Sequence, residues 1–167
     1  MAADTTTSRV PDARFLVSHP AHFIALGFGA GLSPVAPGTV GTLVAIPLCW
    51  LLAQAMPLLA VAFVAIPLFV VGVWACDVTG RDLGVADHGS MVWDEIVAFL
   101  LVLAIVPREL DWQAAAFVLF RAFDIAKPPP IRWFEARYHG GFGVMFDDLL
   151  AAGYTLLALA VIKRLLG

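Results

Sequence analysis

From Phe15 to Cys76 the chain runs for 62 residues without a single Asp, Glu, Lys or Arg. A soluble domain needs a solvated face on each element, and soluble proteins are roughly a quarter charged. Here only 14% of the 167 residues are charged, while 61% are hydrophobic. The chain is therefore expected to be an integral membrane protein with one domain. Residues 1–17 read as a polar tail and residues 18–167 as a single membrane-embedded unit. SHPAHF and GFGAG interrupt the apolar core that a signal peptide would need, so none is expected.

Two function classes fall away on charge and cysteine usage. The net charge is only −3 and there is no basic block, so no nucleic-acid partner is expected. Cys49 and Cys76 sit in apolar runs with no partner histidine or ligand spacing, as small packing residues do.

Apolar runs at about Thr42–Met56, Leu58–Cys76, Ile96–Val106, Ala114–Phe120 and Leu149–Ile162 predict an all-α, polytopic bundle of about five membrane-embedded helices. Only the second run has comfortable spanning length, since a span takes about 20 residues. His22–Leu32 adds a short interfacial or re-entrant helix. Pro47 and Pro67 are expected to kink their helices unless neighbours satisfy the backbone.

Five spans put three long segments on one side: the N-terminal part, Asp77–Glu95 and Arg121–Asp148. The last two hold 14 of the 23 charged residues. Arg9, Arg14, Arg81, Arg121, Lys127, Arg132 and Arg137 fall on that side, against Arg108, Lys163 and Arg164 on the other. The positive-inside rule then places the charged segments in the cytoplasm.

Three stretches carry candidate chemistry. GLSPVAPGTVGTL, Gly31–Leu43, is turn-rich, and Ser33 and Thr39, with backbone N–H groups at the next helix start, can hold a phosphate. It lacks the Gly-Lys-Ser/Thr of a P-loop. In the stretch Cys76–Leu100, Asp94 and Glu95 sit at the start of the third span, where the helix dipole favours one negative charge but a pair exceeds a cap's needs. Asp82 and Asp87 read as solvated loop charge.

In FRAFDIAKPPPIRWFEARYHGGFGVMFDD, Arg121 and Asp124 share a helix face. Pro128 biases Lys127 toward an extended conformation, and Gly140, Gly141 and Gly143 allow a close turn before Asp147-Asp148. Intramembrane carboxylates are costly and mark function by default. Five carboxylates on one side repel without a divalent cation, and the accompanying Arg and Lys imply an anionic substrate that also meets the metal. Phosphate on a lipid fits both demands. The residues alone lead to a metal-dependent phospholipid phosphatase or transferase.

GLSPVAPGTVGTL, DHGSMVWDE, FRAFDIAKPPPIRWF and HGGFGVMFDD together resemble the phosphatidylglycerophosphatase A family of bacterial membrane phosphatases, over about Phe23 to Gly153. The resemblance implies Mg²⁺-dependent hydrolysis of phosphatidylglycerophosphate to phosphatidylglycerol and inorganic phosphate at the cytoplasmic face of the inner membrane. It implies an acidic metal site of Asp94, Glu95, Asp124, Asp147 and Asp148, with Arg121, Lys127 and Arg137 facing phosphate. Ala98 and Ala152 stand where the family usually has Gly, small-for-small changes that remove no polar group. Asp94, Asp124, Asp148 and His88 are the candidate catalytic groups, a carboxylate or His88 orienting a water for attack. A covalent aspartyl-phosphate is the rival route, and the Asp-x-Asp-x-Thr/Val signature of soluble aspartate phosphatases is absent. His139 is either the acid that protonates the leaving alkoxide or a structural imidazole, and His19 and His22 are expected at the interface.

The competing class is a transporter or channel that uses intramembrane carboxylates for ion coupling. It calls for charges deep within spans and is commonly built on inverted repeats. Here the charges gather at span ends, and no internal repeat is visible.

Overall fold

A computed structural model describes residues 10–166, so most of the expected polar tail lies outside the described residues. Among those residues every regular element is a helix. The organising element is α5, Trp93–Ile105, with ten of its 13 residues buried. A helix apolar all round has no solvent face to keep and belongs inside a bundle. It packs on α3 (Pro37–Ala55), α4 (Leu58–Leu83) and α8 (Gly140–Leu166). Phe99, Leu100 and Ile96 on α5 meet Phe120 on α6 (Leu110–Ala126) in the core, all of them fully buried.

The expectation of about five spanning helices is corrected by these lengths. Among the described residues three helices, α3, α4 and α8, are long and apolar enough to cross a membrane. At 1.5 Å per residue α5 is only about 20 Å long, short of the ~30 Å hydrocarbon core. It needs no lipid match because other helices enclose it. The 17 residues of α6 include Asp111, Arg121 and Asp124. Hydropathy cannot distinguish a run that faces lipid from one that faces protein. The lipid-type surface lies instead on α3, α4 and α8, where Trp50, Phe63, Ile66, Val70 and Leu157 are exposed.

Both α3 and α4 continue through Pro47 and Pro67. Near the second proline the indole of Trp93 donates to the carbonyl of Leu68 at 3.1 Å. The charged connections are shorter than expected, because the helices run on into them. The α4 helix reaches Leu83 and stops at Gly84, whose φ of 74° suits glycine. Asp77, Arg81 and Asp82 are thus helical residues, with Asp77 and Arg81 paired at 2.9 Å. Gly140 to Gly143 form the first turn of α8, so Asp147 and Asp148 lie two turns inside that helix rather than ahead of it. A Cβ on Gly141 would lie 2.8 Å from the backbone nitrogen of Asp77, which is how α8 closes on α4.

The N-terminal part is more ordered than a tail. Asp12 caps α1, Ala13–Ser18, accepting from Phe15 N–H at 2.8 Å, so residues 13–17 are helical. His19 caps α2, Pro20–Ala25, through Nδ1. The single helix expected over His22–Leu32 is divided: a 3-10 segment, Gly27–Leu32, follows α2 and is broken at Phe28 and Gly29, both with positive φ. His22 is buried, stacks on Phe15 at 4.0 Å and meets Asp82 at 2.9 Å, which ties this segment to α4. Asp82 is therefore a structural partner, not a free loop charge.

Candidate active site

The ends of five helices meet at one end of the bundle. The start of α3 lies against the start of α5 and the end of α6, while the start of α8 closes on α4 near Asp77. A Cβ on Gly38 would lie 3.1–3.2 Å from both terminal nitrogens of Arg121 and would collide with Glu95 Oε1. Glycine at this position lets the first turn of α3 rest directly on the α5–α6 contact.

Asp94, Glu95 and Asp148 converge here from α5 and α8. Each offers an oxygen, and the three oxygens lie within 4.8 Å of one another. Asp94 is 8% and Asp148 3% exposed. One oxygen on each, Asp94 Oδ1, Glu95 Oε2 and Asp148 Oδ2, is buried without a hydrogen-bond partner. Buried polar atoms are nearly always paired, so an orphaned oxygen on each of three converging carboxylates calls for a ligand. Hard divalent cations such as Mg²⁺ take carboxylate oxygens and keep positions for phosphate. The donor set fits such an ion.

Arg121 stands behind this cluster. Its Nη1 donates to Asp124 Oδ2 at 2.5 Å, the contact expected from their three-residue spacing, and to Glu95 Oε1 at 3.5 Å. Its side chain is only 15% exposed and its Nε has no partner. Asp124 is thereby engaged by a guanidinium.

Asp147 faces elsewhere. Its Oδ2 accepts from Lys127 Nζ at 2.6 Å, and the same ammonium reaches Glu135 at 2.7 Å on α7, Ile131–Arg137. Burial alone would lower the Lys127 pKa, but the hydrogen bonds and charges of Asp147 and Glu135 outweigh it and hold it above the ordinary lysine value. Lys127 is not extended, as Pro128 suggested. It closes α6 in the left-handed conformation, φ 43°, with its N–H on Phe123 O at 2.8 Å. That turn swings the ammonium toward α8 and α7. Glu135, which the sequence reading passed over, completes the clasp.

The remaining expected residues are less closely gathered. The imidazole of His88 accepts from Ser90 N–H at 3.1 Å within its own loop and makes no hydrogen bond to the acidic cluster among the described residues. Ser33 donates to Val35 O and lies at the surface, while Thr39 follows Gly38 on the first turn of α3. Arg137 is exposed at the end of α7. His139 lines a small recess of about 230 Å³ with Asp87, Glu135, Tyr138 and Asp147.

Fold and site together define a helical membrane protein built around a buried acidic centre with cations beside it. The chain belongs to the phosphatidylglycerophosphatase A family, whose sequence model matches residues 23–163. A phosphatidylglycerophosphatase A of Escherichia coli K12 is 46% identical over 143 residues, covering 85% of this chain and 83% of that protein. One from Haemophilus influenzae is 42% identical over 159 residues, 94% and 97% of the two chains. A Bacteroides thetaiotaomicron protein described as a putative phosphatidylinositol-3-phosphatase is 38% identical over 151 residues, 86% and 94%. No solved structure matches the chain.

Proposed function

We propose that this protein is a lipid phosphatase that converts phosphatidylglycerophosphate to phosphatidylglycerol and inorganic phosphate during phospholipid synthesis. Family membership supports the substrate. The observation that carries the chemistry is the trio of orphaned oxygens on Asp94, Glu95 and Asp148. These three side chains would hold Mg²⁺, which supplies positive charge for the phosphoryl oxygens as the transition state develops.

The protein's own residues do the rest. Arg121, braced by Asp124, fixes the Glu95 carboxylate toward the centre. The unused Nε–H and the Gly38 turn beside it offer donors to phosphate oxygens. Lys127 anchors Asp147 and presents positive charge next to Asp148. Exposed Arg137 and Arg132 draw the anionic headgroup to the mouth from the surface. A water oriented by the Asp148 carboxylate is the nucleophile: its oxygen bonds to phosphorus as the P–O bond to the glycerol oxygen breaks, and the proton it gives up is balanced by the one the leaving alkoxide takes.

The lipid-type surfaces of α3, α4 and α8 support a membrane location, which for this family reading is the bacterial inner membrane. The basic excess at the site end turns that end to the cytoplasm. A transporter role finds no support in acids gathered at one end of the bundle. The deciding experiment is phosphate release from phosphatidylglycerophosphate by purified, folded protein in detergent, with Mg²⁺ or with chelator. Release that persists in chelator rejects the metal, and no release with Mg²⁺ rejects the phosphatase reading.

A further inference from the structure

At the end opposite the acidic site, the bundle contains a second recess, of about 390 Å³. Its origin lies in the shortness of α5. The α5 helix ends at Ile105, and beyond it the chain crosses at Val106–Glu109 to begin α6. The α3 helix packs along α5, whereas α6 packs mainly on α8. A wedge therefore opens under the α5 terminus between α3 and α6. Its walls are mostly apolar and include Cys49, Ala53, Leu58 and Leu103.

Two polar side chains line it, Arg108 and Gln113, and no carboxylate does. Gln113 donates to the Arg108 carbonyl at 3.1 Å, which fixes the turn that carries the guanidinium. Glu109 and Asp111 follow Arg108 in sequence but do not line the recess. Among the described residues no carboxylate lies within 4.0 Å of the Arg108 guanidinium. Trp50, 66% exposed, stands at the rim. Tryptophan favours the headgroup level of a bilayer.

We infer that this recess is a binding site for one anionic phospholipid of the leaflet opposite the acidic site, its phosphate on Arg108 and one acyl chain in the wedge between α3 and α6. The charge decides the headgroup. A phosphate diester matches an unpaired guanidinium, and because no acid lines the recess to offset Arg108, a headgroup of net negative charge is favoured over a zwitterionic one. The apolar walls fit a chain and not a free anion. The site stands apart from the phosphatase reading and does not depend on it.

The test uses the full chain in phosphatidylcholine nanodiscs containing a minor fraction of phosphatidylserine, which carries no phosphate monoester. Native mass spectrometry counts the lipids that remain bound. The wild type retains one phosphatidylserine in preference to phosphatidylcholine. R108Q and the wedge-filling A53F each weaken that retention about tenfold, in line with loss of a charge-assisted contact or of the chain's space. R14Q, at an exposed position on α1 at the other end, leaves it unchanged. All three variants are checked by melting in lipid-free detergent, and A53F keeps the result readable if R108Q folds poorly. Equal retention in R108Q and wild type overturns the site. So does a wild type that shows no preference for phosphatidylserine, which would leave Arg108 only the role of complementing the α5 dipole.

Discussion

Arg121 on α6 and Glu95 on α5 are joined at 3.5 Å across the site, with both side chains more than four-fifths buried. The same guanidinium holds Asp124, so one cation stands between two carboxylates that would otherwise repel. Removing one partner of a buried pair costs about 3 kcal/mol, because the other charge is left uncompensated. R121M is expected to lose stability on that scale and to lose phosphate release about a hundredfold. Adding E95Q to R121M removes one of the two stranded charges, leaving Asp124, and should recover part of the melting temperature with no recovery of turnover. Full recovery of turnover in the double variant would deny Arg121 its positioning role.

The three-carboxylate centre makes a prediction of opposite signs. Without a cation, Asp94, Glu95 and Asp148 repel one another within 4.8 Å. D148N relieves that repulsion and should raise the melting temperature in chelator relative to wild type. It should also abolish the rise in melting temperature that millimolar Mg²⁺ gives the wild type, together with activity. A D148N protein still stabilised by Mg²⁺ would place the metal elsewhere.

Lys127 has two carboxylate partners of unequal burial: Asp147 is 7% exposed at its side chain and Glu135 44%. Substitutions should rank accordingly. E135Q is expected to fall within about 1 kcal/mol of wild type, as solvent-exposed pairs do, and K127M to cost clearly more by stranding the buried Asp147. The folded-state pKa of Lys127 is raised. Its contribution is therefore complete below the unfolded lysine value near 10.4 and is lost as pH rises through the higher folded value. The stability gap between wild type and K127M should stay constant from about pH 7 to 10 and shrink only above that. Closure of the gap near pH 8 would contradict the clasp.

Much of the site was legible in the sequence because local rules set it. Asp94 and Glu95 head an apolar run, Arg121 and Asp124 follow helical spacing, and the grouping of charges placed Asp148 at the same end. What the sequence hid is non-local. Asp82 finds His22 from 60 residues away. Lys127 reaches Glu135 across a proline turn, and its left-handed backbone has no glycine or asparagine to announce it. The span count failed for a related reason. Hydropathy scores α5 as strongly apolar, but only the packing shows that its neighbours are helices and not lipid. The separate roles of Asp147 and Asp148 also rest on packing, since adjacent helical residues point about 100° apart and here meet different partners.

Gly38 links the loop ahead of α3 to this chemistry. On an exposed helix, Gly→Ala gains roughly 1 kcal/mol, and Gly38 has no positive φ to forbid a side chain. Propensity alone therefore favours G38A. The added methyl would collide with Glu95 Oε1 and crowd Arg121, and the start of α3 is held by its neighbours on α5. We expect G38A to displace the Glu95 carboxylate, reducing phosphate release at least tenfold and weakening the Mg²⁺-dependent rise in melting temperature. G141A is the matched control: its methyl would collide with Val73 O on α4, away from the carboxylate trio. It should lower the melting temperature more than it alters the Mg²⁺ response. If G38A kept full activity and a normal Mg²⁺ response, Gly38 would be packing alone, and its closeness to Glu95 would have no part in holding the metal.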